Sequence, residues 1–182
     1  MIEVEIRARI KDKNGLKKKL EEIGANFVKT EKQVDRIFGN AMFLDSNKII
    51  VEGGLSARIR EVGEKKTLEF KEILRKKGGM EVESVLSDVE IGLRFLEKLK
   101  FKEAFTISKL REIYSYNDFT ICLDSVIRLG EFVEIEKMVN FFSDEKKARK
   151  ECVNLLNILS PNSKVENKKY GDLMQEILNR GK

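Results

Sequence analysis

The sequence contains no histidine, no tryptophan, two cysteines and a single proline. Without histidine, serine–histidine and cysteine–histidine nucleophilic catalysis are excluded. Histidine-ligated zinc, copper and non-haem iron go with them. Cys122 and Cys152 stand far apart and form no C-x-x-C pair, so a zinc or thioredoxin-type motif has no support. Two reduced thiols suit a cytosolic protein. No stretch approaches the roughly 20 apolar residues that span a bilayer. The first residues, Met1-Ile2-Glu3-Val4-Glu5, carry acids where a signal peptide carries bases. A cytoplasmic protein with no membrane partner is expected.

Of the 182 residues, 41% are hydrophobic, enough for a core, and one domain over residues 1–182 is expected. Charged residues reach 37%, against about 25% in an average domain. Yet 36 basic and 31 acidic residues leave a net charge of only +5. Any anion site must therefore come from local arrangement rather than from bulk charge.

The charges alternate with apolar residues. Ile2, Val4, Ile6, Ala8 and Ile10 interleave with Glu3, Glu5, Arg7 and Arg9. This period of two is the mark of a strand with one apolar and one charged face. It recurs at Leu55–Arg60, Thr67–Lys71, Met80–Glu83, Lys109–Tyr116, Phe119–Asp124 and Val133–Glu136. Shorter runs at Val34–Phe38 and Lys48–Glu52 add candidate strands. Turn residues separate them at Gly53-Gly54, Gly63, Gly78-Gly79, Asn117-Asp118 and Gly130, which predicts antiparallel hairpins. Helices are expected from Asn14 to Gly24, after the capping box Ser87-Asp88-Val89-Glu90, from Ser143 or Asp144 to Leu159, and from Gly171 to Leu178. About eight antiparallel strands with a few helices suit a sandwich or a barrel.

The plain explanation of the charged faces is a sheet packed on one side and wet on the other. Two features argue for more. Acids recur as E-x-E pairs, Glu3/Glu5, Glu81/Glu83 and Glu134/Glu136, where like charges share a strand face and repel unless a cation lies between them. Bases cluster too, as Arg58/Arg60 and Lys109/Arg111, whereas a solubilising surface mixes the signs. Turned inward, rows of Arg and Lys suit a polyphosphate, and carboxylates without histidine or thiolate select hard cations such as Mg²⁺ or Mn²⁺.

The ordered motifs resemble those of the CYTH superfamily, which groups class IV adenylyl cyclases with thiamine triphosphatases in the triphosphate tunnel metalloenzyme fold. Glu3-Val4-Glu5-Ile6-Arg7 is similar to its E-x-E-x-K signature, with arginine in the lysine position. Then follow Gln33-Val34-Asp35, Ala57-Arg58-Ile59-Arg60, Thr67-Leu68-Glu69-Phe70-Lys71, Lys109-Leu110-Arg111, Leu123-Asp124 with Leu129–Glu136, and Tyr170-Gly171-Asp172-Leu173. The CyaB-like class IV adenylyl cyclases look nearest.

The resemblance implies an α+β fold, a closed antiparallel β-barrel of about eight strands forming a charged tunnel with flanking helices. It implies Mg²⁺ or Mn²⁺ on Glu3, Glu5, Asp124, Glu134 and Glu136, and triphosphate on Arg7, Arg58, Arg60, Lys71, Lys109 and Arg111. Lys71, Glu5 and Glu136 are the implied catalytic residues, Lys71 through a part in activating water. Glu81 and Glu83 lie near further acidic family positions. The expected substrate is ATP, thiamine triphosphate or inorganic triphosphate, and the reaction is either cyclisation of ATP to cyclic AMP and pyrophosphate or hydrolysis. Family analogy allows a homodimer, and nucleic acid is not the expected partner. The competing hypothesis is a non-catalytic polyphosphate or RNA 5′-end binding module, whose affinity would fall steeply with salt.

Overall fold

Eight strands and four α-helices are formed by the described residues, 2–74 and 80–180, of this computed structural model. The strands are β1 (Ile2–Arg9), β2 (Asn26–Gly39), β3 (Leu55–Val62), β4 (Lys65–Glu72), β5 (Glu81–Val85), β6 (Lys102–Tyr116), β7 (Phe119–Val126) and β8 (Gly130–Val139). The helices are α1 (Lys13–Glu22), α2 (Val89–Lys98), α3 (Glu145–Leu159) and α4 (Tyr170–Arg180). The strand order is β1-β8-β7-β6-β2-β3-β4-β5. Registers are antiparallel for β1/β8, β8/β7, β7/β6, β2/β3, β3/β4 and β4/β5.

The strand count and antiparallel pairing match the sequence expectation, but the closed barrel does not. The sheet is open, ending in β1 and β5, which are not neighbours in its order. At the β1 end the free edge has another partner. Ala8 makes a bridge with Val165, and the Glu166 amide donates to the Arg7 carbonyl at 2.7 Å. A short strap from the chain past α3 thus takes edge groups that closure would give to a strand.

Two compact units divide the chain, one within Met1–Glu31 and Lys109–Lys169, the other within Lys32–Ser108 and Tyr170–Lys182. In the first unit, one face of β1, β7 and β8 packs Ile6, Ala8, Ile121, Leu123, Val133 and Ile135 against Leu16 and Leu20 of α1 and Cys152, Leu155, Leu156 and Leu159 of α3. Asp12 caps α1, its carboxylate accepting from the Gly15 amide at 2.8 Å. Gly24, at φ 79°, closes the helix in a left-handed turn that lets the Ala25 amide reach the Leu20 carbonyl at 2.8 Å. In the second unit the core is Phe38, Ala57, Ile59, Leu96 and Phe101.

Several local expectations shift. The Lys48–Glu52 run forms no strand, only a bridge between Leu44 and Ile50. Strands β2 and β6 start well before the alternating runs that announced them. The helix expected after the capping box is α2, and of its apolar residues Leu96 is buried, whereas Ile91, Phe95 and the following Leu99 are exposed. Met80, just before β5, and Val82 within it are exposed too, at the end of the sheet beyond β4. The predicted Gly78-Gly79 turn lies outside the described residues. Among the described residues no helix is long and apolar enough to cross a membrane.

Candidate functional site

Strand alternation sends the charged residues to the sheet face opposite the apolar core, and in the first unit that face is not wet. Asp124 is 0% exposed and Glu134 2%; Arg7 and Lys109 are buried as well. Burying charge is costly unless it is paired, and here each buried charge has partners. The β1/β8 register sets Glu5 opposite Glu136 and Arg7 opposite Glu134. The β6/β7 register sets Arg111 opposite Asp124.

Arg111 is the hub of this cluster. Its Nε and Nη2 donate to the two Asp124 oxygens at 2.7 and 2.6 Å. It also pairs with Glu134, and its Nη1 lies 3.7 Å from Glu136 Oε1. Lys109 Nζ donates to Asp124 Oδ2 at 3.0 Å. Arg7 donates from Nε to Glu134 at 2.5 Å, from Nη2 to Glu5 at 2.7 Å and from Nη1 to the Lys168 carbonyl at 3.1 Å. Burial works to lower the Arg111 pKa, but its hydrogen bond to Asp124 and the Glu134 charge drive it upward. Burial favours the neutral Asp124, yet Arg111 and Lys109 hold it below the usual carboxylate range. Desolvation lowers Lys109.

Three carboxylates are left short of cations. Glu3, Glu5 and Glu136 each place an oxygen within 4.8 Å of the other two. Burial and the nearby charges of Glu3, Glu134 and Glu5 push Glu136 up to about 7 despite Arg111. Burial and Glu134 raise Glu5 likewise. Across the cluster, Glu3, Glu5, Asp124, Glu134 and Glu136 face Arg7, Lys109 and Arg111, an excess of two negative charges when all are ionised. One divalent cation cancels that excess. All-oxygen donors of this kind suit Mg²⁺ or Mn²⁺, so the residues fit the metal that the sequence suggests.

A second cluster lies in the other unit. Arg60 grips Asp35 with Nε and Nη2 at 2.7 and 2.8 Å, and Arg58 Nη1 lies 3.5 Å from the same carboxylate. Arg58 also donates from Nε to Glu69 at 2.9 Å, and its Nη2 is 3.4 Å from Glu81. Lys71 Nζ donates to Glu81 Oε2 at 2.5 Å. Burial opposes the ionised Glu81, but Lys71 and Glu69 bring it down to about 2. Burial raises Glu69, which is 3% exposed. Three carboxylates here balance three cations, and each guanidinium is oriented by a bidentate or shared carboxylate.

The structure thus groups Glu3, Glu5, Arg7, Lys109, Arg111, Asp124, Glu134 and Glu136 in one cluster, and Arg58, Arg60 and Lys71 in another. Glu83 lies opposite Glu69 in the β4/β5 register but is exposed, and its carboxylate pairs with Lys65 rather than with the arginines. Asp35 and Glu69 were given no role from the sequence. Both sit in strand segments that the sequence singled out, and Glu69 shares the face of Lys71 two residues on. Buried acids one or two positions from a cationic row are the signal that marks them.

The fold is an open antiparallel sheet whose charged residues gather into two ionic clusters, one in each compact unit. The CYTH domain family matches residues 1–170, and the chain belongs to it. The chain is similar to the "putative adenylate cyclase" of Methanocaldococcus jannaschii, 33% identical over 163 residues, 88% of this chain and 90% of that protein. A solved protein of Pyrococcus horikoshii OT3 shares 27% identity at a TM-score of 0.79, over 96% of this chain and 99% of that one. A Hippeastrum protein, described as a "putative adenylyl cyclase" with a dominant triphosphatase activity, shares the fold at 15% identity and a TM-score of 0.68, covering 96% of each chain.

Proposed function

We propose that this chain is a Mg²⁺- or Mn²⁺-dependent enzyme that acts on a triphosphate, either cyclising ATP or hydrolysing the triphosphate. The observation that carries the reading is the trio Glu3, Glu5 and Glu136, whose oxygens converge within 4.8 Å with too few cations around them. A bound divalent ion would neutralise phosphate charge and acidify a coordinated hydroxyl or water. The protein's part is to hold charge in place. Arg7 and Arg111 fix Glu134, and Lys109 and Arg111 fix Asp124, so these two acids are anchored beside the trio. Asp124 and Glu134 are assigned to the metal's surroundings. Arg7, Lys109, Arg111, Arg58, Arg60 and Lys71 are assigned to the phosphates, where bidentate guanidinium contacts suit tetrahedral oxyanions. Lys71 and Glu5, with Glu136, are assigned to proton handling in the reaction. The CYTH match runs through both compact units, and we treat residues 1–182 as one functional domain in the cytoplasm.

The deciding experiment offers ATP, GTP, thiamine triphosphate and inorganic triphosphate with Mg²⁺, Mn²⁺ or chelator. Phosphate, pyrophosphate and cyclic nucleotide are all measured. Metal-dependent turnover that is lost in Glu5→Gln is expected, and its products name the reaction. A folded protein that turns over none of the four, or that does so equally well in chelator, overturns the proposal.

A further inference from the structure

A cavity of about 820 Å³ opens elsewhere on the first unit, between the end of β1, the start of α1 and the segment after α3. It lies within the size range of small-molecule sites. Its apolar lining is Leu16, Leu159, Pro161 and Val165, of which the two leucines are almost fully buried. Around it stand Lys11, Lys19 and Lys164, none of which is held in an ion pair among the described residues. Arg9 also lines it but is engaged, donating to the Leu129 carbonyl at 2.6 Å and lying over the Phe132 ring.

The two lining carboxylates are occupied locally. Asp12 accepts from the Gly15 amide at 2.8 Å, and Glu166 from the Lys168 amide at 3.0 Å. Four cations, Arg9, Lys11, Lys19 and Lys164, line the cavity against these two acids, so its lining keeps a net positive charge. The attraction comes from the lysines and not from the end of α1, which Asp12 already answers. The wall is preformed, because the Ser163 hydroxyl donates to the Arg9 carbonyl at 3.0 Å and the Glu166 amide to the Arg7 carbonyl at 2.7 Å. A preformed wall lowers the ordering cost of binding.

We infer that this cavity is an accessory site for a small organic phosphate, with the phosphoryl group among Lys11, Lys19 and Lys164 and the organic part against Pro161 and Val165. The concave shape favours a small molecule over a nucleic acid strand. The apolar lining favours an organic phosphate over the bare ion. The site shares no residue with the two ionic clusters, and the inference is independent of the triphosphate reading.

The test uses adenosine 5′-monophosphate as probe, with the full chain in chelator at low salt. Binding is followed by calorimetry and by backbone amide shifts. Shifts are expected at Lys11, Ser163, Lys164 and Val165, weaker with inorganic phosphate and absent with adenosine. Lys11→Glu combined with Lys19→Glu and Lys164→Glu is expected to weaken binding about tenfold or more, as loss of charge-assisted contacts does. The same three-charge reversal at the exposed Lys146, Lys147 and Lys150 of α3 is expected to leave binding intact. Circular dichroism checks that all variants fold. The inference is overturned if the shifts around 163–165 are absent, or if the α3 reversal weakens binding as much. It is equally overturned if Arg58→Ala with Arg60→Ala removes the binding, which would place the probe on the other cluster. The lysine reversals leave the residues assigned to the metal-dependent turnover untouched, so failure of this inference and failure of the triphosphate reading are told apart.

Discussion

Glu136→Gln is expected to make the metal-free protein more stable at neutral and alkaline pH, which is unusual for a change at a partly buried polar residue. In the folded state, burial and the neighbouring acids push the Glu136 carboxyl from an ordinary 4.5 up to about 7. In the unfolded chain it titrates near its ordinary value. Between those two pH values the folded state holds the extra proton, so stability falls as pH rises through that window. Above it, the charge costs the folded state up to about 3 kcal/mol, at 1.36 kcal/mol per pKa unit. Glutamine keeps the shape and removes the charge. Urea unfolding in chelator at pH 4, 6 and 8 is the assay. The two proteins are expected to match at pH 4, and the variant to lead by about 2–3 kcal/mol at pH 8. Mn²⁺ is expected to raise the midpoint of the wild type but not that of the variant. Parallel curves at all three pH values, or a less stable variant at pH 8, would refute the claim that this carboxylate is cation-starved.

Glu134→Ala is expected to act in the opposite direction, costing about 3–5 kcal/mol in the same urea assay, because it strips the buried Arg7 and Arg111 of a shared counterion. Leu156→Ala, at a 1% exposed position between α3 and the sheet, is expected to cost about 2–5 kcal/mol with little change in the m-value. The Cys122 thiol is buried and its pKa is raised, first by burial and then by the surrounding carboxylates against the pull of Arg111. Its reaction with a disulfide reagent at pH 8 is therefore expected to be slow in the native protein and to reach full rate only in denaturant.

Legibility followed the range of the interactions. The alternation in β1, β7 and β8 is local, and it correctly separated Ile6, Ile121 and Ile135 from Glu5, Asp124 and Glu136. The Glu134/Glu136 pair was visible as two acids on one face, but their different environments were not. Glu134 meets two guanidinium groups brought in by β1 and β6, whereas Glu136 meets two further acids, and only the strand register decides that. The strap at Val165 and Glu166 was equally hidden, since it joins residues more than 150 positions apart. Helix periodicity showed that Ile91, Phe95 and Leu99 share a face of α2. It could not show that Gly92 and Leu96 turn inward instead, where Gly92 allows close packing on Leu86. The open sheet depends on which distant edges meet, and no local pattern encodes that.

Arg7 shows why arginine is suited to a position where the family motif has lysine. Three of its nitrogens donate in three directions, to Glu134, to Glu5 and to the Lys168 carbonyl. A lysine has one nitrogen at the end of a flexible stem and cannot span such a fork. The arginine therefore ties two β-strand acids and the chain after α3 to one rigid group. Its own backbone carbonyl accepts from Glu166, so side chain and main chain hold the same strap. That fixes Glu134 fully and Glu5 on one side only. Glu5 also belongs to the trio with Glu3 and Glu136. The uneven sharing of positive charge, two guanidinium groups on Glu134 and almost none on Glu3, leaves a negative hole at one end of the cluster. The local excess of negative charge results from where the arginines are placed as much as from how many acids the strands carry.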